Sequence, residues 1–164
     1  EQINLFEKQQ GACLNHLEEL AEAYFAREIS LLCTIPGIQK YSAMCLLSEI
    51  GNDMSAFGKA SHLVGWAGLR PRNDESAGKI QSRKITHGNK YLRKALMECA
   101  CGAARNKGSV LYYRFWHLKE MKKHHNSIIV AIARQLLKII WTLLWKEEKF
   151  DTEYHLKKHI PSIA

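Results

Sequence analysis

The chain has 164 residues, 46% of them hydrophobic, with a formal net charge of +8 and a pI of about 9.3. That length buries one sizeable core without disulfide or metal staples, and only three prolines and ten glycines exclude a turn-rich all-β fold. The positive balance favours a polyanionic partner, either nucleic acid or an anionic membrane surface.

Residues 1–29 read as one long helix. Ile3, Phe6, Gln10, Cys13, Leu17, Leu20 and Tyr24 recur at alternating spacings of three and four, with Glu7, Glu18, Glu19 and Glu22 off that seam. The pattern fits a coiled-coil-like arm that joins copies of the chain into a homo-oligomer; an amphipathic helix packed on its own domain gives the same spacing. Residues 31–51 hold an apolar turn ending at Pro36-Gly37, then a second helix over 40–50 that Gly51-Asn52 stops. A short helix over 59–66 closes at Gly68. Residues 69–86 have no sustained period and read as a long loop with room for a small hairpin. A helix over 89–106 puts Leu92, Leu96, Cys99 and Ala103 on one face. Ser109 is placed to cap a helix over 110–124, and Asn126 to cap the last helix, 127–148.

The run 128–145 is long and apolar, but Arg134, Gln135 and Lys138 interrupt it, and each central charge costs about 2.5–3.5 kcal/mol in a membrane. It is expected to be a core helix, with no membrane partner. From Phe150 onward a frayed tail is expected. The organisation is therefore all-α: an arm (1–29), a compact helical domain with one long basic loop (30–149) and a flexible tail (150–164). Five cysteines, none in a Cys-x-x-Cys pair, read as buried free thiols of a cytoplasmic protein. The chain begins at Glu1-Gln2 with no initiator methionine, as expected of a piece of a longer protein.

Three features carry chemistry. The stretch TIPGIQKYSAMCLL resembles a helix-hairpin-helix, in which a glycine turn exposes backbone N–H groups to a DNA phosphate. Gly37 permits the turn, Ile38 plugs it, Ala43 keeps the helices close and Lys40 adds charge; Gln39 stands where the pattern has a second glycine. The alternative is an ordinary helix–helix corner. The second feature is the loop and the helix after it. Arg70, Arg72, Lys79, Arg83, Lys84, Lys90, Arg93 and Lys94 face only Asp74 and Glu75, a concentration of charge suited to phosphate contacts with steep salt dependence. The third is Ser76, a nucleophile at phosphorus if a base takes its proton and cations hold the developing charge. Arginine, with a pKa above about 12, is excluded as that base; Glu75 and His87 are the candidates, and Gly78 allows close approach of a substrate. Read alone, Asp-Glu-Ser-Ala-Gly is a poor motif, and Ser76 reads first as a turn-forming serine. Phe115, Trp116, Trp141 and Trp145 fall at helical spacing and read as core, or as stacking platforms if exposed. His117, His124 and His125 diverge on a helix and read as solvent-exposed rather than as metal ligands.

The ordered blocks IPGI…A…LLSEIG, F…A…L…WAGLRP, SAG and KITHGNKYLRKALMECA resemble the C-terminal region of the 110/116/902 group of insertion-sequence transposases, the RNA-guided bridge recombinases. The resemblance spans residues 34–104. It implies a DNA recombinase whose N-terminal RuvC-like domain holds magnesium, followed by a coiled coil and a helical domain that supplies a serine nucleophile. That serine falls on Ser76, with Ala77 inserted before Gly78, and Ser82 is a second candidate. Gly88 and Asn89 would open a helix whose N–H groups face the phosphate, with Arg93 reaching back across its first turn. The implied partners are DNA and a guide RNA. No cofactor is expected in this chain, which alone would be inactive. The alternative function is a non-catalytic nucleic-acid-binding and oligomerisation module.

Overall fold

Helix α1 (Gln2–Leu32) is divided by one residue, Phe25, whose backbone leaves the helical region (φ −135°, ψ 19°). The computed structural model describes residues 2–72, 74–76, 79–82 and 85–159, giving the backbone alone for 74–76, 79–82 and 157–159. Beyond the break, Ile29, Leu31 and Leu32 are buried and anchor α1 to the domain. Before it, the apolar seam stays open: Ile3 is 72% exposed and Tyr24 73%, and Phe6, Leu17 and Leu20 are exposed as well. The helix therefore runs three residues beyond the expected boundary, and its seam is not folded back onto its own domain.

A turn leads to α2 (Lys40–Ile50), a short 3-10 turn capped by Asp53 and α3 (Ala60–Trp66). Strands β1 (Asp74–Ser76) and β2 (Lys79–Ser82) follow, then α4 (Lys90–Arg105), α5 (Val110–Glu120), α6 (His125–Lys146) and α7 (Thr152–His159). The fold is all-α with one small two-stranded hairpin set into it. Helix α6 is its axis. By length and composition it would cross a membrane, yet Ile128, Ile132, Leu136, Leu137 and Ile140 are fully buried against α3, α4, α5 and the end of α1. Burying each such side chain contributes about 1.5–3 kcal/mol, so the apolar run is consumed by the core.

Several local expectations hold. Ser109 caps α5, its hydroxyl accepting from the Tyr112 N–H at 3.1 Å, and Ile38 and Ala43 are buried at the α1–α2 corner. Others are corrected. Helix α6 starts at His125, capped by the ring of His124, which accepts from the Asn126 N–H at 3.3 Å; the imidazole takes the role assigned to Asn126. Where a frayed tail is expected, Phe150 is buried, its N–H bonded to the Thr34 hydroxyl at 3.0 Å, and Asp151 caps α7. Of the five cysteines only Cys99 is buried, and burial pushes its thiol up. Trp116 and Trp145 are exposed rather than core, because each lies on the outer face of its helix.

Candidate nucleic-acid interface

The basic loop has a stem. Gly68, at φ +70°, lies directly against Gly88; a Cβ on Gly68 would meet the Gly88 N at 2.8 Å, and one on Gly88 would collide with the Gly68 N. Only two residues without side chains let the backbones cross so closely. Hydrogen bonds close the crossing on both sides: the Thr86 N–H donates to the Arg70 carbonyl at 2.9 Å and the Asn89 N–H to the Trp66 carbonyl at 3.2 Å. Pro71 and Ile85 form an antiparallel bridge above it. Beyond that bridge β1 and β2 pair antiparallel, with an irregularity in register between Asp74 and Glu75.

Ser76 pairs with Lys79, the last pair of the ladder, with Ala77 and Gly78, outside the described residues, between them. Five residues from Pro71, Ser76 is at most about 18 Å from the stem. Its side chain and that of Lys79 lie outside the description, as do Arg83 and Lys84 altogether. His87 sits at the stem beside Gly88, the opposite end of the hairpin from Ser76. Among residues near in sequence this leaves Glu75, next to Ser76 on β1, as the nearer candidate base.

The N-terminus of α4 differs from the expected open anion site. The Asn89 side-chain oxygen accepts from the N–H groups of Tyr91 and Leu92 at 2.9 and 3.0 Å, and its amide donates to Glu49 of α2 at 2.6 Å. Two of the donors that a helix start leaves free are thus already satisfied. Asn89 secures the helix and ties the stem to α2. Gly88 makes the backbone crossing with Gly68.

The other expected residues divide into two groups. Around the stem, the Arg70 guanidinium lies over Gly65 and donates to the Ser61 carbonyl at 3.3 Å; Arg72 is exposed at the foot of the hairpin; Lys90 is exposed, 5.0 Å from the Tyr91 ring centroid; and Arg93 is half-buried on the next turn. Away from it, Lys40 donates to Glu18 and Glu22 of α1 at 3.2 and 2.7 Å. Those carboxylates raise its pKa and compensate its charge. Gly37 turns its open face to α4, where a Cβ would lie 2.7 Å from the Ala103 Cα. Glu98 lines the cleft at that corner.

Arg134 joins the stem group, although in the sequence it stands out only as a charge inside an apolar run. It reaches from the middle of α6 to donate its Nε–H to the Leu69 carbonyl at 3.0 Å. No carboxylate pairs with it among the described residues. Burial first, and then the positive charge of Arg114, pull its pKa below the ordinary value. A half-buried guanidinium beside a second one is electrostatically short of an anion. Glu49, the partner of Asn89, is the other residue with no mark in the sequence. Among the described residues no three His, Cys, Asp or Glu side chains come together as metal ligands.

A family model described as Transposase IS116/IS110/IS902 matches residues 29–114, from the anchored end of α1 through the stem to α5. The chain is 37% identical over 128 residues to the pilin gene-inverting protein of Moraxella bovis, covering 77% of this chain and 39% of that protein. It is 30% identical over 122 residues to the 42 kDa protein of insertion element IS900 of Mycobacterium paratuberculosis, covering 72% and 30%. It is 28% identical over 120 residues to the transposase for insertion sequence element IS1111A of Coxiella burnetii, covering 71% and 33%. The chain thus spans well under half the length of each of these relatives. The matched region takes in the glycine crossing, the hairpin and the capped start of α4, and the chain belongs to the IS116/IS110/IS902 transposase family.

Proposed function

We propose that this chain is the nucleophile-bearing part of an RNA-guided, insertion-element DNA recombinase working in the cytoplasm. Ser76 Oγ attacks the phosphorus of a DNA phosphodiester. Its proton passes to a base, for which Glu75 is the candidate on the same strand. The bond from phosphorus to the leaving deoxyribose oxygen breaks, that oxygen is protonated, and a phosphoserine diester joins protein to DNA. Attack on this diester by the deoxyribose hydroxyl of another strand expels the serine and completes the exchange. Cations around the stem (Arg70, Arg72, Lys90, Arg93 and Arg134), with Lys79, Arg83 and Lys84 from the hairpin, hold the phosphate oxygens. Magnesium belongs to a RuvC-like domain outside this chain, which alone binds DNA or guide RNA without cutting.

The observation that carries this reading is the position of Ser76 at the last pair of a hairpin whose base is pinned within the richest cationic segment of the chain. In the complete transposase with its guide RNA, Ser76→Ala is expected to abolish recombination, a loss of at least about 1,000-fold. Salt-sensitive DNA binding by the 164-residue chain should be unchanged. Recombination at the original rate would remove Ser76 from the chemistry.

The open seam of α1 supports homo-oligomerisation through the arm. Light scattering after size exclusion is expected to show an oligomer for the whole chain and a monomer once residues 1–24 are removed. The cut falls before the anchoring residues Ile29, Leu31 and Leu32. It also removes the ion pairs of Lys40 with Glu18 and Glu22, which are exposed and contribute little. An unchanged mass per particle would rule the arm out as the association element.

A further inference from the structure

The C-terminal turn of α4, helix α5 and the first turn of α6 enclose a cleft of about 330 Å3. It lies at the other end of α4 from the stem, about 23 Å away along that helix. Its wall is aromatic. Tyr112 and Trp116 have ring centroids 6.1 Å apart, and Phe115 meets Trp116 and His125 edge-on, each at 5.8 Å. Trp116 remains 41% exposed. The rim is cationic: Arg105 and Lys107 line it, and the Lys119 Nζ stands 4.4 Å from the Trp116 ring centroid. The Arg105 Nε–H donates to the Cys101 carbonyl at 3.2 Å, which holds the guanidinium at the edge. Among the described residues no Asp or Glu lines the cleft.

Flat rings on one wall and positive charge on the rim match the two halves of a nucleotide. A base has a π face to stack, and its phosphate is an anion. An apolar peptide would use the rings and leave the charges unanswered. A duplex, with its bases already stacked, would use the charges and leave the rings unanswered. The volume stands at the low end of the range of small-ligand sites, about 300–1,000 Å3, which suits a single nucleotide. We propose that this cleft takes one unpaired nucleotide of a single-stranded nucleic acid, its base against the Tyr112–Phe115–Trp116 wall and its phosphate between Arg105 and Lys107. The assignment rests on the nucleic-acid reading above and adds a base contact distant from the serine hairpin.

The test is fluorescence anisotropy of the 164-residue chain with labelled oligo(dT), oligo(rU) and a mixed-sequence duplex at one low salt concentration. Trp116→Ala is expected to weaken single-strand binding about tenfold, and Trp116→Phe to restore it to within about threefold. Duplex affinity should hold in both variants. The dT and rU arms tell whether the strand is DNA or RNA. Lys107→Gln, an exposed substitution, should also weaken single-strand binding and serves if Trp116→Ala proves unstable. Single-strand affinity unchanged in a folded Trp116→Ala and in Lys107→Gln overturns the cleft assignment alone. Failure of the unmodified chain to bind any of the three probes overturns the nucleic-acid reading itself.

Discussion

Gly37→Ala is expected to destabilise the protein by about 3–5 kcal/mol and to lower its melting temperature by roughly 10 °C, at about 2–4 °C per kcal/mol for a chain of this size. Two costs add. At φ +93° an L side chain meets its own backbone, worth about 1–2 kcal/mol. The new Cβ would also fall 2.8 Å from the Ala103 Cβ and closer still to the Ala103 N. Those atoms belong to the last turn of α4, where Ala103 is fully buried, and Gly102 beside them is packed on the Gly37 carbonyl, so neither side yields without moving α4 from the α1–α2 corner. Gly11→Ala is the control. Nothing lies within 4 Å of that Cβ and the site is helical, so it should stabilise α1 by about 0.5–1 kcal/mol. Thermal melts of the two variants check both signs.

Gly88→Ala is expected to act differently, leaving the core folded while recombination by the complete transposase falls at least about 100-fold, the effect of displacing reacting groups by an ångström. The added Cβ would lie 2.5 Å from the Gly68 Cα and 2.6 Å from the Ala67 carbonyl carbon. Backbone stands on both sides, so the stem has to open. Opening breaks the bonds of Thr86 to Arg70 and of Asn89 to Trp66, and the hairpin carrying Ser76 loses its fixed direction. The core helices meet elsewhere, and the melting temperature should drop by less than in Gly37→Ala. Gly65→Ala gives the comparison: its Cβ would meet only the Arg70 guanidinium, at 3.7 Å, an ordinary contact that activity should survive. Equal recombination by Gly88→Ala and Gly65→Ala would show that the crossing does not position the hairpin.

Much of the fold is legible in the residues because its signals are local. Periodicity marks α4 and α6, Ser109 and Asn89 mark helix starts, and Gly51 and Gly68 mark stops. What escapes is settled by contacts distant in sequence. Trp116 and Trp145 have the spacing of core residues, but spacing does not say which face of a helix meets a neighbour. Thr34 fixes Phe150 across 116 positions, which turns an expected frayed end into an anchored one. At the candidate site the charge concentration and Ser76 stand out in the sequence, as does Gly88. The geometry that gives Gly88 its purpose comes from Gly68, twenty residues earlier. Arg134 is visible only as a violation of an apolar pattern, and the carbonyl of Leu69 that explains it is 65 positions away. Lys40 looks available in sequence and is bound by two carboxylates of α1, because the arm passes alongside α2.

The most direct test of Ser76 as the nucleophile is to trap the protein–DNA intermediate of the complete transposase, digest it with trypsin and nuclease, and locate the phosphorylated residue by mass spectrometry. Cleavage after Arg72, Lys79 and Arg83 separates the two serines of the hairpin, Ser76 within residues 73–79 and Ser82 within residues 80–83. Phosphate on the 73–79 peptide, lost in Ser76→Ala, is the expected result. Phosphate on the 80–83 peptide, or an adduct that persists in Ser76→Ala, would contradict it.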